Sequence, residues 1–205
     1  MSSTKHFIYH ILKMKYAIIL LFVLFSCSIP KEKIPPVATM EKSTGKTIVY
    51  QLLPRLFGNK KNNNQPYGTI SENGVGKFHD INATALKAIR EMGVTHVWYT
   101  GVIEHATLTD YSSYGIPLDD ADVVKGRAGS PYAIKDYYDV PPDLAPRVVG
   151  GMKEFEQLVS RTHAEDLKVI IDFVPNHVAR RYKSDAKPEG VKDLGENDDT
   201  TVVFS

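Results

Sequence analysis

The run Asp172-Phe173-Val174-Pro175-Asn176-His177 places a carboxylate, an amide and an imidazole within six positions. Asp172 closes the apolar stretch Val169-Ile170-Ile171, so it sits at the end of a predicted strand. A carboxylate buried there needs hydrogen-bond partners. The His177 imidazole can donate hydrogen bonds, and Asn176 can bond its own backbone in a turn. Other candidates are weaker. Glu104-His105 and Asp110 follow a second apolar stretch, where they would line a groove or, on the simpler reading, stand as solvated loop charges. Arg180-Arg181-Tyr182-Lys183 is followed by Asp185, Glu189 and Asp193, which makes it a solvated loop rather than a nucleic-acid patch. His79, His96 and His163 have no partner at metal-ligand spacing.

The elements that must position these residues repeat one pattern. Thr47-Ile48-Val49-Tyr50-Gln51-Leu52-Leu53 is β-branched and apolar, and Pro54 closes it, which predicts a strand. A loop rich in Asn, Gly and Lys follows from Gly58 to Lys77. Asp80 or Asn82 can cap a helix running to Met92, with Ile81, Ala85, Ile89 and Met92 on its apolar face and Gly93 ending it. Residues 94–99 form a second predicted strand. Residues 100–150 show little periodicity, a long excursion of the kind that carries function. A second helix is predicted over 152–166, with Met152, Phe155, Leu158 and Val159 as its buried stripe. Residues 168–174 form a third strand, whose unbroken apolar run predicts burial on both faces of a parallel sheet.

Strand, helix, strand, helix, strand is the order of a parallel α/β sheet. A doubly wound open sheet and an eight-stranded barrel both fit. Short helix-to-strand links and long strand-to-helix loops favour the barrel, in which active sites sit on those long loops. No glycine-rich fingerprint follows the first strand, which weakens a dinucleotide site.

Residues 1–27 resemble a secretory signal. Lys13 and Lys15 precede the apolar run from Tyr16 to Phe25, which is shorter than the roughly 20 residues a spanning helix needs. Leu24-Phe25-Ser26-Cys27 resembles a bacterial lipobox, which would make Cys27 a lipidated mature N-terminus in the cell envelope, periplasmic or surface-facing. The alternative is a secreted product. Residues 28–46 are rich in Lys, Pro, Ser and Thr and form a predicted linker. Cys27 is the one cysteine, so no disulfide can form within the chain. With 25 basic and 24 acidic residues the net charge is +1, which gives no electrostatic case for nucleic acid.

Three segments in order carry a resemblance to the α-amylase superfamily, glycoside hydrolase family 13. Tyr50-Gln51-Leu52-Leu53-Pro54-Arg55-Leu56-Phe57 is similar to its first strand. Ser130-Pro131-Tyr132-Ala133-Ile134-Lys135-Asp136-Tyr137-Tyr138-Asp139-Val140 resembles the segment after its second strand. Asp172 to His177 resembles its first shared region, Asp, three variable residues, then Asn-His, at the end of the third strand. The resemblance implies that residues 47–205 comprise the first three strand–helix units of a (β/α)8 TIM barrel, ending at the start of the insertion after strand 3. It implies that His177 binds the sugar at the cleaved position and that the Tyr132 ring packs against that sugar. Asn176 would give a carbonyl oxygen to a structural Ca2+ found in many members, and Asp172 would support the site. No organic cofactor is implied.

The substrate class implied is α-glucan or maltooligosaccharide. Retaining glycosidases need two carboxyl groups about 5–5.5 Å apart. The family draws them from later strands, and no matching segment lies between His177 and Ser205, so no catalytic residue is assigned. The rivals are a non-catalytic glucan-binding lipoprotein and, within the family, a transglycosylase or isomerase. An unrelated nucleotide-binding α/β protein is a further rival, weakened by the absence of a phosphate loop. Three strands cannot close a barrel. Residues 28–205 alone are therefore expected to fold poorly and to lack hydrolase activity. Starch hydrolysis by purified protein with a cooperative melt would contradict this.

Overall fold

The structure is a computed structural model and describes residues 45–198. The signal-like segment, Cys27 and nearly all of the linker lie outside the described residues. Among the described residues, no helix is long and apolar enough to cross a membrane. In chain order the elements are β1 Val49–Leu52, α1 Ile70–Asn73, α2 Ala83–Glu91, β2 His96–Tyr99, β3 Glu104–His105, β4 Ile134–Asp136, α3 Gly151–Ala164 and β5 Lys168–Ile171. Short 3-10 turns occupy Phe78–Asp80, Ser112–Tyr114 and Pro142–Leu144.

β1, β2 and β5 form one parallel sheet in that order. Each crossover adds its strand on the same side, and α2 packs against α3. With crossovers of one hand, this puts both helices on one face. A doubly wound sheet would reverse direction and use both faces. Leu52, Tyr99 and Ile171 stand level across the sheet. The segments leaving all three strands therefore start from one edge.

The core lies between this sheet and the helices. Leu52, Val97 and Tyr99 point into it, meeting Leu86 and Ile89 of α2 and Leu158 of α3. Tyr99 Oη lies 2.6 Å from Thr162 Oγ1, a buried hydrogen bond between β2 and α3. Phe78 stacks at 5.5 Å on Phe155, and Arg161 donates to Phe78 O at 2.9 Å. Asn82 caps α2 by accepting from Ala85 N at 3.0 Å. Gly93, at φ +85°, ends the turn that follows it.

The structure departs from the expectations in four places. The face of α2 runs through Leu86 and Ile89, while Met92 at the C-cap is 61% exposed. On α3, Leu158 and Thr162 are buried and Met152 is exposed, while the Phe78 turn is met by Phe155 and Arg161. The third strand, β5, is only half-buried, and Ile171 is 45% exposed. β5 is an edge here, since among the described residues no strand pairs with its far side. Finally, the Asn-rich loop contains α1, closed by a capping box in which Thr69 and Glu72 bond each other's backbone.

The 100–150 excursion is ordered, in line with its many tyrosines. β3 and β4 pair antiparallel within it. Lys135 and Asp119, both nearly fully buried, form an ion pair at 2.9 Å. Arg55 after β1 pairs with the buried Asp143 carboxylate, which also accepts from Tyr111 Oη. These bonds tie the first exit loop to the excursion.

Leu158→Ala is expected to lower stability by about 3 kcal/mol, through lost burial and the cavity left behind. Met92→Ala should change it by less than about 0.5 kcal/mol. Urea melts of the two variants check the contrast.

Candidate functional site at the strand exits

Asp172, directly after β5, accepts a hydrogen bond from the indole N–H of Trp98 on β2. Its other oxygen is buried without a hydrogen-bond partner among the described residues. Asp172 is thus held between neighbouring strand ends. The chain then turns outward. Phe173 is 68% exposed, and its ring lies 5.5 Å from Tyr137, which also packs at 5.8 Å on Tyr182. Tyr137 Oη donates to the Val174 carbonyl.

These rings line an open cavity of about 410 Å³. Tyr138, Asn176, His177 and Leu194 complete its working surface. His177 Nδ1 lies 3.0 Å from Asn176 Oδ1. With the proton on Nδ1 in that bond, Nε2 is left to accept from a hydroxyl. Aromatic faces suit the C–H faces of a sugar ring, and the imidazole and phenol groups suit its hydroxyls. The cavity lining includes no Asp or Glu.

Asn176 and His177 are brought together, and Asp172 lies behind them. Tyr132 is elsewhere. It is 42% exposed, in the turn that Ala133 N closes on Ser130 O, and it does not line the cavity with His177. Around Asn176 the described residues do not fit a Ca2+ shell. Its side-chain oxygen faces His177, and the cavity supplies rings, aliphatic groups and Lys192 rather than carboxylates.

Glu104 and His105 are not the solvated charges expected. They form β3 and are 2% and 5% exposed. Pairing with β4 turns them inward, a consequence of tertiary register that spacing along the chain does not show. Asp110 is exposed as expected, and Ser112 holds its carboxyl below the usual range. Arg181 pairs with Asp120 at 2.7 Å, which gives that basic run a local acidic partner. Glu104 lies in a cluster with Asp136 and Asp185, with one oxygen from each within 4.8 Å of the others. Burial, then Asp185, Asp136 and Asp139, push its carboxyl up to about 8, against the opposing pull of Lys135. At 2% exposure Glu104 is out of reach of a substrate, so its raised pKa does not make it a general acid.

Comparison with known proteins places the chain as follows. The family model described as "Alpha amylase, catalytic domain" matches residues 51–198. The trehalose-6-phosphate hydrolase of Bacillus subtilis (strain 168) is 30% identical over 138 residues, covering 67% of this chain and 18% of that protein. The amino acid transporter heavy chain SLC3A1 of Rattus norvegicus is 28% identical over 134 residues, covering 65% of this chain and 14% of that protein. A crystal structure of an alpha-amylase from Lactobacillus plantarum aligns at 24% identity and a TM-score of 0.45, over 66% of this chain and 24% of that one. The chain thus spans under a fifth of the length of the two curated relatives.

A raised carboxyl pKa makes the folded state prefer the proton. Glu104 therefore contributes stability that is whole below its ordinary 4.5 and lost as pH rises through about 8. Asp139 and Asp185, also raised by burial, act in the same direction. Urea melts should show stability falling between about pH 5 and pH 9, and Glu104→Gln should flatten much of that fall. An unchanged slope in the variant would contradict this.

Proposed function

The chain belongs to the alpha-amylase catalytic-domain family, and on that premise we propose that it forms the sugar-holding wall of an α-glucan-acting glycoside hydrolase. The observation that carries this reading is the aromatic cavity beside His177, set where three parallel strands release their loops. Such an edge is where a (β/α)8 barrel carries its active site. The fold implied for the whole enzyme is that barrel, of which β1, β2 and β5 would be the first three strands.

In this reading His177 and the Tyr138 and Phe173 rings hold a glucose unit. Asp172 acts as a positioning residue through Trp98 and the strand end. Chemistry requires a nucleophile and a general acid/base, both carboxyl groups. The described cavity lining contains none, so this wall binds and orients while later segments of the enzyme react. Hydrolysis and glucosyl transfer share this wall, and its residues do not distinguish them.

The same observation favours a second reading, a non-catalytic glucan-binding protein. In either case Cys27 would carry a lipid that fixes the protein to the bacterial envelope, with residues 28–46 as tether. Metabolic labelling with a radioactive fatty acid should mark the wild type and not Cys27→Ser.

Maltoheptaose titrated calorimetrically into the protein should bind saturably without turnover. His177→Ala should weaken binding by about tenfold, the loss of one or two hydrogen bonds. Turnover would contradict the division between holding and reacting groups. Absence of binding, or equal binding by His177→Ala, would remove the sugar site itself.

A further inference from the structure

The Glu104, Asp136 and Asp185 cluster is separate from the sugar-facing cavity and has no part in the reading above. Glu104 is 98% removed from solvent by its 2% exposure, and its Oε2 has no hydrogen-bond partner among the described residues. One carboxylate oxygen from each of the three residues lies within 4.8 Å of the others. The nearby ammonium, that of Lys135, is engaged by Asp119 at 2.9 Å and by the Pro117 carbonyl. Three carboxyl groups thus converge on a buried point whose neighbouring cation is held elsewhere. An uncompensated buried carboxylate is strongly unfavourable.

Asp136 is fully buried and already well supplied with donors. Its Oδ2 accepts from Ser184 Oγ at 2.7 Å and from the amides of Asp185 and Ala186 at 3.1 and 3.4 Å. Its Oδ1 accepts only from Tyr138 N, at 2.7 Å, and keeps a further lone pair. Glu104 Oε2 is without a partner among the described residues. Asp185 is exposed and leaves one side of the cluster open to water. Three oxygen donors with water on the fourth side match a hard cation that retains part of its hydration.

We propose that Glu104, Asp136 and Asp185 form a divalent-cation site of the hard, oxygen-preferring class, Ca2+ or Mg2+, which fastens the 184–186 turn to the β3–β4 pair. Its role is structural. The turn follows the His177 segment, and Tyr137 and Tyr138 follow Asp136 directly, so the ion would brace both sides of the aromatic wall. The charged groups facing the cluster are Asp139, Lys135 and Lys183, and the rival occupant is a proton held on Glu104.

The test uses the full chain, stripped with a chelator and equilibrated separately with radioactive Ca2+ or with Mg2+ followed by elemental analysis. Hydrogen exchange at Asp185 and Ala186 is read in parallel. The wild type should take up one equivalent, and exchange at the two amides should slow. Glu104→Gln and the exposed Asp185→Asn should each weaken uptake by at least about tenfold, while Asp198→Asn should match the wild type. Asp185→Asn removes an exposed group, so it reports on the site even where Glu104→Gln perturbs folding. Uptake of Ca2+ alone or Mg2+ alone identifies the ion. The proposal fails if the wild type shows no saturable uptake or if both site variants bind like the wild type. It also fails if alkaline destabilisation is unchanged by either ion, which would assign the cluster to a proton.

Discussion

One carboxylate joins the two segments that build the aromatic wall. Asp136 lies at the end of β4, in the excursion after β2, yet three of its four hydrogen bonds come from residues 184–186, beyond β5. This junction works beside two backbone bonds that flank Tyr182, Ala179 N to Ile134 O at 2.7 Å and Lys183 N to Lys135 O at 3.1 Å. Together they seat Tyr182 against Tyr137. Hydrogen bonds to an ionised acceptor are among the stronger ones, each contributing about 1.5–3 kcal/mol. Backbone amides, which cannot rotate away, make up most of the donors here.

The excursion survives burial of charge because most of its charged groups have directed partners. Lys135 meets Asp119, whose carboxylate also accepts from Thr107 N at 3.0 Å. Asp143 meets Arg55 and Tyr111. Lys77 reaches the carbonyls of Asp143 and Ala145. The loops are therefore anchored by polar contacts, while the sheet and helices are anchored by apolar ones. Among the described residues, Glu104 Oε2 and the second oxygen of Asp172 are the buried side-chain atoms without partners. Asp172 stands at the strand-exit edge, where the described residues leave one side of the sheet uncovered.

That uncovered side follows from topology. The face of the sheet carrying Val49, Gln51, Trp98 and Ile170 lies opposite the helices and is only partly buried. A closed barrel would fill that face with side chains from further strands. Within residues 45–198 the helix-side core is closed over β1 and β2, while β5 and the inner face stay partly exposed.

By itself, the sequence determined the parallel strand–helix order, a helix cap at Asp80 or Asn82, the stop at Gly93 and the family to which the Asp172–His177 run belongs. Each is local. A helix cap, a glycine with positive φ and an apolar strand depend on neighbours a few positions away. It also carried Thr69–Glu72, a capping box legible in four residues once looked for. Tertiary structure alone decided the inward turn of Glu104, the exposure of Met92 and Ile171, and the distance of Tyr132 from the His177 cavity. These depend on pairing across tens of residues. β3 meets β4 some thirty positions later, and Asp136 meets residues 184–186 some fifty positions later. No periodicity encodes such contacts, because two- and three-residue strands are too short to show one and a carboxylate looks the same whether it faces water or another carboxylate.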